Sequence, residues 1–468
     1  MKYILGIDGG SQSTKVAIYS ADGTVVCSAA VPLRQLKLSA GGHAEHPDDD
    51  LWDSLCGAVK KLLELFDGAP EEIAAVGLCS IRFCRALLKK DGTLAQPLMS
   101  WMDARVGQPH MEENPDVAYV TTASGYLSKR LTGENRDTAA NYLGAWPLDH
   151  DTWDWNETAI PAFGVTRSML FDLIQPGERL GCITAAAAEA TGLPAGLPVY
   201  TTANDKAVEA LGVGCLHPGS VLLSLGTYIA AMTCTERNLG DSAVGWTNLA
   251  SVPHRYLFES NGIRRGMWML SWWCNVLGED YREKAASMGM SPEMRLNQEA
   301  ERIPAGSDGL MIVPHWLADA DTPFRKGMML GFDGRHGRAH IYRAIMEGIA
   351  MTMRNHMDKT DLPCGKMIIS GGGSKSDVFM QIFADVMERP VSRPHKFGSA
   401  GLGAAICAAV GVGIWPDFDT AVSKMVRPGE EFRPIPENVE IYRKLNAIYR
   451  DAAPVGDPLF RESYPVFG

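Results

Sequence analysis

One arrangement occurs twice in this chain: an apolar run, a turn of glycine and hydroxyl residues, then a second apolar run. Its first copy is Tyr3-Ile4-Leu5-Gly6-Ile7, then Asp8-Gly9-Gly10-Ser11-Gln12-Ser13-Thr14-Lys15, then Val16 to Tyr19. Such runs suit buried strands and are too short for helices. Asp22-Gly23 closes the second run with a hairpin signal, so the glycines join strand to strand. Gly-x-x-x-x-Gly-Lys-Ser/Thr and Gly-x-Gly-x-x-Gly are both absent at the turn and no helix pattern follows, which excludes the two common nucleotide loops. What remains is a tight turn whose backbone N–H groups can approach an anion. Ser11, Ser13 and Thr14 add hydroxyls, and Lys15 adds a cation. Asp8 would repel a phosphate, and makes sense where Mg²⁺ sits between the two. Taken alone, the stretch fits an ordinary Gly-rich hairpin equally well. The second copy, Ser220 to Met232 through Leu225-Gly226-Thr227-Tyr228, shifts the balance. A repeat at the start of each half implies a duplicated α/β protein with two such turns facing across a cleft.

The other bounds agree. A chain of 468 residues is too long for one core. Its net charge of −11 argues against a nucleic-acid partner. No apolar run approaches membrane-spanning length and no leader pattern precedes Tyr3, so a cytoplasmic, membrane-free setting is expected. The ten cysteines are scattered without Cys-x-x-Cys, which points away from zinc and disulfides. His43 and His46 read as solvated loop residues. Asp48-Asp49-Asp50 is expected to cap an amphipathic helix through Leu65. Ile73 to Cys79, Ala86 to Lys89 and Val199 to Thr202 read as strands, and Phe432 to Arg450 contains an amphipathic helix after Pro434 and Pro436.

Several motifs, in order along essentially the whole chain, resemble the FGGY family of carbohydrate kinases. They are the turn Asp8 to Lys15, Thr202-Ala203-Asn204-Asp205, Leu225-Gly226-Thr227, and Gly327 to Gly331 with His340 to Glu347. Ser370-Gly371-Gly372-Gly373-Ser374-Lys375-Ser376 and the Gly/Ala-rich Phe397 to Ala409 complete the set. The resemblance implies duplicated actin-like, ribonuclease H-like domains, 1–212 and 213–468, the first on the sugar side and the second on the nucleotide side. It implies ATP and Mg²⁺ as cofactors and a small carbohydrate as partner, and it allows a homodimer. Asp205 becomes the expected base, since phosphoryl transfer to a hydroxyl needs an acceptor for its proton; outside that context it reads as a helix cap. Gly10, Ser11, Gln12, Lys15, Gly226 and Thr227 are expected at the phosphates. Gly371, Gly372 and Ser376 are expected at the adenosine. Asp8 and Asp205 are expected at the metal.

For the acceptor, the resemblance implies Arg82, Trp101 and Asp103, alongside Asp205. An aromatic face covers a sugar and a carboxylate takes its hydroxyls. Departures from the family pattern are Lys206 where relatives carry an amide, Gln12, Tyr228, Asp321 before Thr322-Pro323, and a short segment after Arg105 that lacks a signature helix. Of these, Lys206, Tyr228 and Gln12 keep a non-catalytic ATP- and sugar-binding sensor in view as the alternative, against which the retained Asp8 and Asp205 argue. A chaperone or filament ATPase would need a peptide-binding domain that does not follow. The basic residues Arg82, Arg85, Lys206, Arg264 and Arg265 near the expected pocket favour a sugar acid, unless carboxylates such as Asp103, Glu209 or Glu259 pair with them.

Overall fold

The structure is a computed structural model that describes residues 2–467, except 112, 113, 227, 319–321, 396 and 397. Thr227, Asp321 and Phe397 therefore lie outside the described residues.

The two strand–turn–strand units each seed a sheet. In the first, β1 (Tyr3–Gly9) and β2 (Ser13–Tyr19) pair antiparallel, with Asp8 opposite Lys15. β3 (Val25–Pro32) extends one edge. On the other side lie β4 (Ile73–Ser80), parallel to β1, then β6 (Pro198–Asn204) and the antiparallel edge strand β5 (Arg179–Cys182). The second sheet repeats this plan. β7 (Val221–Leu225) pairs antiparallel with β8 (Ile229–Thr235), which is followed outward by β10 (Tyr256–Ser260) and β9 (Gly245–Leu249). β11 (Met367–Gly371), parallel to β7, leads to β12 (Val391–Pro394) and the antiparallel edge strand β13 (Pro428–Phe432). The orders 5-6-4-1-2-3 and 13-12-11-7-8-10-9 superpose strand for strand, with β9 as the extra edge. This is the duplicated actin-like α/β architecture. Its central strands β1, β4, β6 and β7 are almost wholly buried, as parallel sheets covered on both faces require.

The halves are not independent bodies side by side. Helix Ser399–Gly411, from the second half of the chain, packs on β1, β4, β6 and helix Asp205–Gly212 of the first. Its approach depends on missing side chains. A Cβ on Gly77 would lie 2.0 Å from the Ala404 carbonyl oxygen, and one on Gly6 would lie 2.2 Å from that of Gly401. The Gly/Ala richness of the segment thus reflects backbone-close packing between the halves. Gly77→Ala is expected to cost roughly 1–3 kcal/mol, the usual price of overpacking, read as a lowered midpoint in denaturant unfolding.

Local readings need three corrections. The helix after Asp48-Asp49-Asp50 runs Asp50–Leu65, yet Asp49 makes no side-chain cap bond. These acids instead hold neighbouring segments, Asp50 accepting from Arg34 at 3.0 Å and Asp49 from Tyr126 and Arg130. His46 is buried beside Asp50, with Nδ1 3.9 Å from the carboxylate, rather than solvated. The C-terminal helix starts at Pro436, a favourable first position, and continues to Val455, while Phe432 ends β13. Among the described residues no helix is long and apolar enough to cross a membrane, and no cluster of side chains has metal-ligand geometry.

Candidate active site

The ends of β1, β6 and β11 converge on a cleft of about 370 Å³ between the halves. Asp8, the turn residues Gly10 to Ser13 and Lys15 form one wall. Asp205, Lys206 and Glu209 form the floor, and Ser370 to Gly372 with Lys375 the far wall. The N-terminus of helix Ser399–Gly411 closes one side.

At the first turn, the Gly10 N–H donates to the Ser13 carbonyl at 3.1 Å and so closes the hairpin. Ser11 and Gln12 stand exposed at its tip. Asp8 lies behind them, only 9% exposed, with Lys15 Nζ 4.0 Å away. Burial pushes the Asp8 carboxyl up to about 6; Lys15 opposes this, while Asp205 and Glu209 add to it. A buried carboxylate with other carboxylates nearby is a site that gains from a cation.

Asp205 opens helix Asp205–Gly212, directly after β6. The capping is done by its neighbour. Asn204 Oδ1 accepts from the Lys206 and Ala207 N–H groups at 3.1 Å, and its Nδ2 donates to the Ala140 carbonyl at 2.9 Å. The Asp205 carboxylate is thereby released from helix duty, and its Oδ1 is buried with no hydrogen-bond partner in the protein. The helix-cap reading of Asp205 is replaced by Asn204. A buried acceptor without a partner is costly, and Asp205 is one of the residues that line the cleft.

Lys206 turns to the second half. Its Nζ lies 2.8 Å from Ser224 Oγ on β7 and 3.1 Å from Glu209 Oε2. Burial works against the ammonium, but Glu209 and Asp205 outweigh it and hold the Lys206 pKa above its ordinary value. Burial likewise opposes the Glu209 charge, and Lys206 holds that carboxyl below its usual range. Glu209 is a cleft residue that the motifs did not name, although Lys206 and Glu209 have the i,i+3 spacing of a helical ion pair.

The second turn lies against the adenosine motif. Gly226 follows β7, its carbonyl accepting from Met267 N–H at 3.4 Å. A Cβ on Gly371 would meet the Leu225 carbonyl at 2.5 Å, and its φ of +91° favours glycine. Gly372 opens onto empty space. The Tyr228 ring packs over Gly262. Ser376, expected at the adenosine, caps helix Asp377–Met387: its hydroxyl donates to Asn297 at 2.9 Å and accepts from Phe379 N–H at 3.3 Å. Ser376→Ala should therefore cost about 1 kcal/mol of stability and leave nucleotide affinity near wild type, measurable by thermal melting and nucleotide titration.

On the acceptor side, Arg82 sits in the turn after β4, beside Phe83 at a left-handed φ of 60°. For a bulky residue this is strained backbone, a feature that concentrates at working sites. Arg82 forms a two-pronged pair with Glu259 of β10, at 2.7 and 3.0 Å. Trp101 is 49% exposed, so it is not a core residue. Asp103 is committed elsewhere. Its oxygens accept from Ala44 N, Arg105 N, Arg105 Nε and Arg105 Nη2, between 2.7 and 2.9 Å. Burial opposes its charge, but the Arg105 bonds prevail and bring it to about 2. Those four donors fill a carboxylate's capacity, so Asp103 fixes the Trp101–Arg105 turn. Between Arg105 and Thr122 the described residues contain only a 3₁₀ turn and a short strand, with no α-helix.

Two sheets of one topology, a buried carboxylate freed from structural work and glycine turns on either side define a phosphotransferase of the actin-like fold. The chain belongs to the FGGY family of carbohydrate kinases. The family's N-terminal domain matches residues 3–114 and 108–212, and its C-terminal domain matches 221–412. The N-terminal match divides where the segment after Arg105 is short. The chain is 48% identical to the uncharacterized sugar kinase YgcE of Escherichia coli (strain K12), over 99% of this chain and 96% of that protein. It is 25% identical to the autoinducer-2 kinase of Enterobacter sp. (strain 638), over 96% of this chain and 94% of that one. The xylulose kinase structure from Rhodospirillum rubrum matches with a TM-score of 0.84 at 25% identity, over 98% of this chain and 100% of that chain. The protein is a carbohydrate kinase, a phosphotransferase with a hydroxyl acceptor.

Proposed function

We propose that the protein transfers the γ-phosphoryl group of ATP, with Mg²⁺, to a hydroxyl of a small sugar, polyol or sugar acid, and that Asp205 takes the hydroxyl proton. The observation that carries this is the buried, unpartnered Asp205 Oδ1 beside Asp8 in the cleft.

The cleft suits the two groups the reaction needs. Asp8 and Asp205 offer hard oxygen donors, which fit Mg²⁺, and Mg²⁺ neutralises charge on the transferring phosphoryl group. Asp8 would hold it, at least partly through water. The Ser11–Gln12 tip, Lys15 and Gly226 would contact the phosphates. Gly371 and Gly372 leave the backbone bare for the adenosine. Asp205 Oδ1 has a lone pair to accept the acceptor's proton, and helix Asp205–Gly212 keeps it in place through the Asn204 cap. Trp101 would cover the sugar's apolar face. The Lys206–Glu209–Ser224 contact ties the base's helix to β7.

ADP release from Mg-ATP, followed in a coupled assay over ketoses, polyols and sugar acids, tests the reading. At least one carbohydrate should stimulate release well above the water rate. Uniform, carbohydrate-independent release across the panel would contradict it.

A further inference from the structure

Lys206 follows Asp205 in the chain and lines the same cleft. Its ammonium carries three N–H donors. One donates to Ser224 Oγ at 2.8 Å and one to Glu209 Oε2 at 3.1 Å, and the third has no acceptor among the described residues. The Ser224 hydroxyl donates in turn to Glu209 Oε2 at 3.2 Å. Ser370, opposite Ser224 on β11, bonds the same carboxylate. The ammonium is thus held from both halves of the molecule. Glu209 fixes it from its own helix, and Ser224 fixes it from β7, shortly before Gly226 of the second turn. Its side chain is 23% exposed, against 61% for Lys15 at the first turn. A pinned cation with one open donor therefore stands between Asp205 and the second phosphate turn.

We propose that Lys206 is a further catalytic residue, whose open N–H donates to an oxygen of the γ-phosphoryl group while that group passes to the acceptor. This deepens the kinase reading above and rests on it. In the step, the acceptor oxygen bonds to the γ-phosphorus as the bond to the β,γ-bridging oxygen breaks. ADP leaves with that electron pair, the hydroxyl proton goes to Asp205, and Lys206 keeps all its protons. Charge in the transition state is spread over the phosphoryl oxygens. A cation already fixed in the site stabilises that charge without reorganising at the moment of reaction. The amide of the family pattern at this position could donate a hydrogen bond but would bring no charge. Balancing Glu209 is the plainer role for Lys206. That role explains the Glu209 contact, but neither the open N–H nor the bond to β7.

The test is steady-state turnover with Mg-ATP and the best carbohydrate of the panel. Lys206→Gln should lower kcat by about 10²–10³-fold, the scale of losing one preorganised donor at developing charge, with KM for ATP and acceptor near wild type. Lys206→Arg, which keeps the charge, should recover part of the loss. Combining Lys206→Gln with Glu209→Gln removes both charges together and leaves no carboxylate unpaired, so kcat should stay as low as in the single variant. Wild-type kcat in that double variant would show that Lys206 only balances Glu209, and would overturn the assignment. An unchanged kcat with a raised KM in Lys206→Gln would overturn it too, since that marks uniform binding. Where Lys206→Gln alone fails to fold, the double variant and Lys206→Arg give the answer. If the wild type phosphorylates no carbohydrate, the kinase reading falls and takes this inference with it; if it does and Lys206→Gln keeps pace, this inference falls alone.

Discussion

Asp205→Asn is expected to lower kcat on the true acceptor by roughly 10²–10⁴-fold, the range for loss of a general base, while nucleotide affinity stays near wild type. Asparagine keeps the shape of the side chain but cannot accept the proton. Because Asn204 and not Asp205 caps helix Asp205–Gly212, the substitution should also leave the melting temperature near wild type. Steady-state turnover, nucleotide titration and a melt on one preparation check all three parts. A variant turning over at the wild-type rate would remove Asp205 from the chemistry. A variant that unfolds would mean the residue carries structural weight absent from its contacts.

The second large effect is at Asp8. Asp8→Asn should reduce turnover at fixed Mg²⁺ by about 10–100-fold, the usual cost of losing a group that orients a bound metal, with the deficit shrinking as Mg²⁺ rises. The same change should stabilise the ligand-free protein. The Asp8 carboxyl is raised from an ordinary 3.8 to about 6, chiefly by burial, so ionising it opposes folding. That penalty is absent below about pH 4, grows as pH rises and is complete above pH 6. At about 1.4 kcal/mol per unit, it reaches roughly 3 kcal/mol, and asparagine does not incur it. Unfolding at pH 8 without metal should therefore show the variant more stable, with the gap closing toward pH 4. A pH-independent gap, or a variant less stable at pH 8, would contradict the assignment. In the wild-type enzyme, turnover at limiting Mg²⁺ should fall as pH is lowered, because protons compete with the metal at Asp8, and added Mg²⁺ should restore it.

Much of the fold was legible because its signals are local. The runs Tyr3 to Ile7 and Ser220 to Leu225, each broken by glycine and hydroxyl residues, mark hairpins that sit in corresponding places in two sheets. What escaped local reading depends on distance in the chain. Arg82 and Glu259 are 177 residues apart in sequence, and charge alone cannot show that one is spent on the other. Ser376 and Asp205 each precede helical patterns, so either could be cap or ligand. The decision lies in whether a neighbour, Asn204 in one case, already supplies the cap. Asp103 carries a sugar-binding pattern, yet it turns back on Arg105 two residues later because the turn needs an anchor. The docking of helix Ser399–Gly411 on the other half's sheet was visible only as Gly/Ala richness, which reads as close packing without naming the surface packed against.

The most direct measurement of the central claim is the mass of the acceptor after reaction. Wild-type protein and Asp205→Asn would be incubated with Mg-ATP and the best carbohydrate from the panel, and the product followed by mass spectrometry alongside ADP. The account predicts one added phosphoryl group per ADP formed with the wild type, and almost none with the variant over the same time. ADP accumulating without a phosphorylated carbohydrate, or equal product from both proteins, would contradict it.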